Sequence, residues 1–130
     1  MTRLFLSYAM SDQVFAAKLK RALAARGVEA FDSHKDLKPG EDISASLIGR
    51  LKRSDMLIFV VPRFEGQGKG ALAELGAAKA LGKRIVAVLP DRMRFANTDV
   101  SVLGNTYSLD AAGRDVSALA DRLLSDLAAA

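Results

Sequence analysis

The run "MLIFVV", residues 56–61, is apolar at every position, and that continuity decides the architecture. A strand with one wet face alternates apolar and polar residues, whereas a strand apolar throughout must be covered on both sides. "IVAVL" at 85–89 has the same character. Two shorter runs, "LFLSY" at 4–8 and "VEAF" at 28–31, are further expected strands, and "NTYSL" at 105–109 is an expected short fifth, at an edge.

Helical patterns alternate with these runs. Phe15, Leu19 and Leu23 recur at i, i+4 and i+8, with Ser11 placed to cap the helix and Gly27 to end it. Ile43, Leu47 and Leu51 repeat the spacing. A third helix is expected from about Gly70 to Leu81, with Gly82 as its stop. A fourth, Arg114 to Leu127, would bury Val116, Leu119, Leu123 and Leu127. Strand–helix alternation with short connections implies an α/β, flavodoxin-like, doubly wound fold. The expected sheet is five-stranded and mainly parallel, in the order 2-1-3-4-5, with helices on both faces. Residues 1–130 read as a single domain, whole in itself or the front of a longer protein.

Composition narrows the function. With 130 residues, 50% hydrophobic and 26% charged, the chain suits one soluble globular core. It has no cysteine, which excludes disulfides and thiolate metal sites, and its one histidine, His34, argues against a zinc site or a serine–histidine triad. No signal peptide is visible and the longest apolar run falls far short of a membrane span, so a cytoplasmic protein without membrane contact is expected. The net charge of +4 is spread along the chain, with no basic tract interleaved with aromatics. Direct nucleic-acid binding is therefore not expected, while a phosphate-bearing small molecule would suit such a surface.

Ligands of such sheets bind beyond the carboxyl ends of the strands, where strand order reverses; here that is between the first and third strands. Ser7, Tyr8, Phe31, Asp32 and Arg63 stand at those ends and are the expected substrate contacts. Between the third strand and its helix lies "GQGKGALAELG", residues 66–76. It is not a Walker loop, because Arg63 stands where the first glycine belongs and Gly70 follows Lys69. Gly66, Gly68 and Ala71 fit a dinucleotide fingerprint with Asp91 further on, yet "PRFE" separates them from the strand end. A phosphoacceptor receiver domain would need acidic residues where "SYA" and "PRF" stand. Glu74 remains. A first-turn acid favoured by the helix dipole is its plain reading; a catalytic carboxylate, with Gly70, Ala71, Ala73 and Gly76 leaving room for a ligand, is the other.

A second segment, "FDSHKDLKPGEDI" at 31–43, joins the second strand to the second helix. Pro39 and Gly40 occupy the places a type II turn prefers, and Asp42 can cap the helix that follows. A polar connection is the ordinary explanation, but this one is longer than such connections usually are.

Taken together, "LFLSYAMSD", "FD…DLKPGEDI", "SDMLIFVVP" and the helix with an early "AELG" resemble a Toll/interleukin-1 receptor (TIR) domain of the bacterial type, over nearly the whole chain. Phe5, Ser7 and Tyr8 match the family's first-strand motif, and Leu37, Pro39, Gly40 and Ile43 its BB loop. Many members cleave the nicotinamide–ribose bond of NAD with one glutamate, at the position of Glu74. The resemblance thus implies an NAD glycohydrolase releasing nicotinamide and linear or cyclic ADP-ribose, with NAD as substrate and no resident cofactor or metal. It further implies self-association with other copies through Asp36, Leu37, Lys38, Pro39 and Gly40, and a fused or separate sensor in a prokaryotic defence or signalling system. The chain has no tryptophan, so an aromatic partner for a base would have to come from Tyr8, Phe31 or Phe64. Two alternatives stand beside this one. A TIR module can serve interaction alone, and "AELGAAKALGKRIVAVLP" is also similar to the glutamate-bearing helix of nucleoside deoxyribosyltransferases.

Overall fold

Met56 to Val60 are buried at every position, as a strand sheathed by helices on two sides must be. The computed structural model describes residues 2–32, 43–62, 69–90, 107–110 and 115–128. The strands are β1 (Arg3–Ser7), β2 (Glu29–Asp32), β3 (Met56–Val60), β4 (Ile85–Leu89) and β5 (Tyr107–Asp110); the helices are α1 (Gln13–Ala24), α2 (Ile43–Arg53), α3 (Lys69–Ala80) and α4 (Val116–Ala128). Four strands in the order β2-β1-β3-β4 form the buried frame, and the short β5 pairs along the outer side of β4. All pairings are parallel, and the register sets Ser7 beside Phe59 and Phe5 between Phe31 and Leu57.

Alternation along the strands sorts side chains into two cores. Leu4, Leu6, Met56, Ile58 and Val60 meet Leu19 and Leu23 of α1 and Leu119 and Leu123 of α4 on one face. Phe5, Phe31, Leu57 and Phe59 meet Leu51 of α2 and Leu75 and Ala78 of α3 on the other. Each such side chain, fully buried, contributes about 1.5–3 kcal/mol relative to exposure.

The turns at the amino-terminal edge are tight. Gly27 (φ 75°) and Gly82 (φ 67°) are the left-handed residues that end α1 and α3. The amides of Val28 and Lys83 reach back to the carbonyls of Leu23 and Ala78, closing a Schellman turn in each case. An added Cβ would meet nothing at either glycine, so backbone conformation rather than space calls for glycine. Lys83 then donates through Nζ to the carbonyls of Lys52 and Ser54, while the Arg84 guanidinium donates to those of Leu127 and Asp126. Two consecutive cations thereby satisfy the end of one helix on each face.

Several expected boundaries shift. β1 stops at Ser7, leaving Tyr8 beyond it, and a 3-10 turn over Met10–Asp12 precedes α1. Asp12, not Ser11, therefore stands at the α1 N-cap, and it makes no side-chain capping bond. α4 begins at Val116 rather than Arg114; Asp115 caps it by accepting from the Ala118 amide at 2.8 Å.

Candidate functional site

Ser7 ends β1 and shares the α2/α3 face with Phe5. Above it α3 presents Ala71, Leu75 and Ala78 to the sheet as a small, apolar stripe. Glu74 interrupts that stripe. The Ser7 hydroxyl donates to Glu74 Oε1 at 2.8 Å. Ser7 is 0% exposed and Glu74 only 7% exposed. A carboxylate withdrawn from water is costly unless hydrogen-bonded, and a solvent-facing acid would have served α3 without that cost. The helix-dipole explanation also weakens, because α3 starts at Lys69 and has no acid in its first turn. Strand order reverses between β1 and β3, so this carboxylate sits where ligands of doubly wound sheets bind.

A second hydroxyl–carboxylate pair lies close by in sequence. Tyr8 donates to Asp32 Oδ2 at 2.7 Å; both are buried, and Tyr8 belongs to the α1/α4 core. Alternation therefore parts neighbours: Ser7 and Phe31 share the face of Glu74, whereas Tyr8 and Asp32 lie across the sheet from it. The Phe31 ring packs 5.2 Å from that of Phe5, and the Arg50 guanidinium lies 4.7 Å from its centroid. Phe31 thus packs within the chain, and Tyr8 is buried. Arg63, Phe64 and the segment Asp36, Leu37, Lys38, Pro39 and Gly40 lie outside the described residues, as do His34, Asp42, Gly66, Gly68 and Asp91.

The small residues around Glu74 divide. Ala71 packs in the core, while Gly70, Ala73 and Gly76 face outward. A Cβ at Gly70 or Gly76 would meet nothing within 4 Å. The pairing of Ser7 with Glu74 was not anticipated from sequence. Its signal was present in β1, where strict alternation puts Ser7, not Tyr8, on the face to which α3 returns.

Comparison with known families then decides the lineage: the TIR domain model matches residues 4–124. The chain belongs to the TIR domain family. Among solved structures, it is similar to the TIR domain of the Toll-related receptor TRR-2 from Hydra magnipapillata, at 21% identity and a TM-score of 0.74, covering 96% of this TIR domain and 97% of that chain. The TIR domains of the activated Roq1 resistosome match at 19% identity and a TM-score of 0.70, covering 98% and 99%. A 2-deoxyribosyltransferase from Bacillus psychrosaccharolyticus matches at 14% identity and a TM-score of 0.71, covering 97% and 96%. At such identities these likenesses concern the fold. No curated protein matches the chain significantly.

Proposed function

We propose that this TIR domain is an NAD glycohydrolase in which Glu74 is the catalytic carboxylate and Ser7 holds it in place. The observation that carries the reading is the buried Ser7–Glu74 bond at the point of strand-order reversal. A fixed, water-poor carboxylate is the group best able to stabilise positive charge developing on a ribose. The reaction asks for little else. Nicotinamide departs from a cationic pyridinium; the C–N bonding pair goes to the ring nitrogen, and the leaving group is neutral. No general acid is therefore required, unlike ordinary glycosidases, which use a second carboxyl to protonate the departing oxygen. Water, or the adenine ring for a cyclic product, then completes the sugar carbon.

Self-association through residues 36–40 is part of the proposal, as is substrate contact by Arg63. The Roq1 TIR domains were seen within an assembled resistosome, which supports this reading. Action in the cytoplasm of a prokaryote, under a sensor domain, fits the same picture; among the described residues no helix is long and apolar enough to cross a membrane. The test is nicotinamide release from purified protein across a range of protein concentrations. Release per molecule should rise with concentration. Flat turnover would remove the self-association, and no release even when the domain is artificially clustered would return the chain to the interaction-module class.

A second reading has one specific support, the fold shared with a 2-deoxyribosyltransferase at a TM-score of 0.71. In it Glu74 would attack a nucleoside sugar as a nucleophile. Base exchange between a 2′-deoxynucleoside and a free base, absent with NAD, would select it.

A further inference from the structure

At the opposite, amino-terminal edge of the sheet lies a cavity of about 260 Å³. Arg3, Glu29, Phe31, Arg50, Arg53 and Ser54 line it. We propose that this cavity binds a small phosphate-bearing anion, at a site separate from Glu74.

The charge balance is one-sided. Three guanidinium groups face one carboxylate, and that carboxylate, on Glu29, stands 3.8 Å from Arg3 Nε with both side chains half-exposed. At that separation the pair is an ion contact without a hydrogen bond, so it leaves most of the donors of Arg3 for a ligand. The nearby Asp55 carboxylate accepts from the Arg3 backbone amide instead. Among the described residues neither Arg50 nor Arg53 has an acidic partner.

Arginines in the last turn of a helix are ordinarily explained by the helix dipole. Here that duty is already met, since Lys83 donates to the carbonyls of Lys52 and Ser54, and the Ser54 hydroxyl donates to the carbonyl of Arg50. The two guanidinium groups are held by other means. Arg50 lies over the Phe31 ring, a contact that favours a planar cation. Arg53 Nη2 lies 3.7 Å from where a Cβ on Gly49 would stand, so it folds back along α2. Two planar forks set three residues apart on one helix face suit an oxyanion with several acceptor oxygens.

Size selects the ligand class. The volume falls just below the range of about 300–1,000 Å³ typical of pockets enclosing a drug-sized molecule. The part of a ligand held inside is therefore the size of a phosphate or diphosphate group. Because the cavity lies at the opposite edge of the sheet from Glu74, the inference stands whether or not the reaction proposed there occurs.

Calorimetric titration with inorganic pyrophosphate tests it, with ADP as a second probe. Arg53 is exposed, so Arg53→Gln should fold normally, as circular dichroism would verify. Pyrophosphate should bind the wild-type chain, and Arg53→Gln or Arg50→Gln should weaken it by about tenfold or more. Glu74→Gln should leave the affinity unchanged. Tighter Arg53-dependent binding of ADP would identify the source as a nucleotide, and equal or weaker binding an inorganic phosphate. No heat with either probe at millimolar concentration overturns the proposal. So does affinity indifferent to Arg53→Gln, or affinity lost in Glu74→Gln.

Discussion

Two hydroxyl–carboxylate pairs lie at the carboxyl end of the same sheet, one on each face, and they differ in what surrounds them. Tyr8 and Asp32, 1% and 0% exposed, close a contact between β1 and β2 inside a core of aliphatic side chains. Ser7 and Glu74 join β1 to α3 and sit beside the reversal of strand order. The bonds are of nearly equal length, 2.7 Å and 2.8 Å. Bond geometry alone therefore does not separate a structural pair from the pair proposed to be catalytic. Position does: one carboxylate fixes the end of an outer strand, and the other is carried on a helix to the place where a ligand would enter.

The largest expected effect tests the catalytic side. Glu74→Gln keeps volume and the hydrogen bond from Ser7 but removes the charge. Nicotinamide release should fall by about a hundredfold or more, while NAD binding weakens far less and the melting temperature stays close to wild type. Near-normal turnover in the folded variant would make the two pairs alike after all.

Tyr8→Phe breaks the other pair and should do the reverse. Removing a donor from a buried carboxylate costs about 1–3 kcal/mol, seen as a melting temperature lower by several degrees, with turnover per folded molecule little changed. Activity lost without loss of stability would instead move Tyr8 into the active site. Ser7→Ala is the intermediate case. It leaves the Glu74 charge but frees its orientation, so turnover should drop by about tenfold, roughly one hydrogen bond to a charged group, with a smaller change in the melting temperature than Tyr8→Phe gives. Full activity in Ser7→Ala would deny Ser7 its positioning role.

The smallest effect belongs to a pair outside both sites. Arg26 Nε donates to Asp121 Oδ1 at 2.7 Å on the α1/α4 surface. That hydrogen bond holds the Asp121 carboxyl below its usual range and raises Arg26 in turn. A depressed carboxylate stabilises the fold above its unfolded-state pKa, and the contribution disappears as pH falls through the lowered folded value. Because the pair is solvated, Asp121→Asn should barely shift the melting temperature at neutral pH, and added salt should erase what shift there is. A large, salt-resistant loss would mean that this surface is buried in an assembly.

Much of the frame was legible because apolar continuity and spacing are local. The run at 56–61 announced a doubly covered strand, and Gly27 and Gly82 announced helix stops. What escaped depends on which face a residue turns to and on what returns there from far along the chain. Ser7 and Tyr8 looked like joint substrate contacts as neighbours in sequence, but the pleat sends them to opposite sides. Ser11 looked like a cap, but a 3-10 turn moved the helix start past it. Arg50, Phe31 and Arg3 come together only because α2 packs on β1 and β2, and no periodicity in any one segment marks that cavity.

Gly27 and Gly82 also have an evolutionary meaning. Each reverses the chain within a few residues of the preceding helix, so the wiring of the amino-terminal edge tolerates neither insertion nor deletion without misaligning a strand by a whole register step. The connections that follow β2, β3 and β4 are longer in sequence, with residues 33–42, 63–68 and 91–106 falling within them, and changing the length of a long connection costs little. Changes of length in this lineage should therefore accumulate in those connections, while the two glycine turns keep their spacing. The two glycine turns then serve as the fixed reference points of the scaffold.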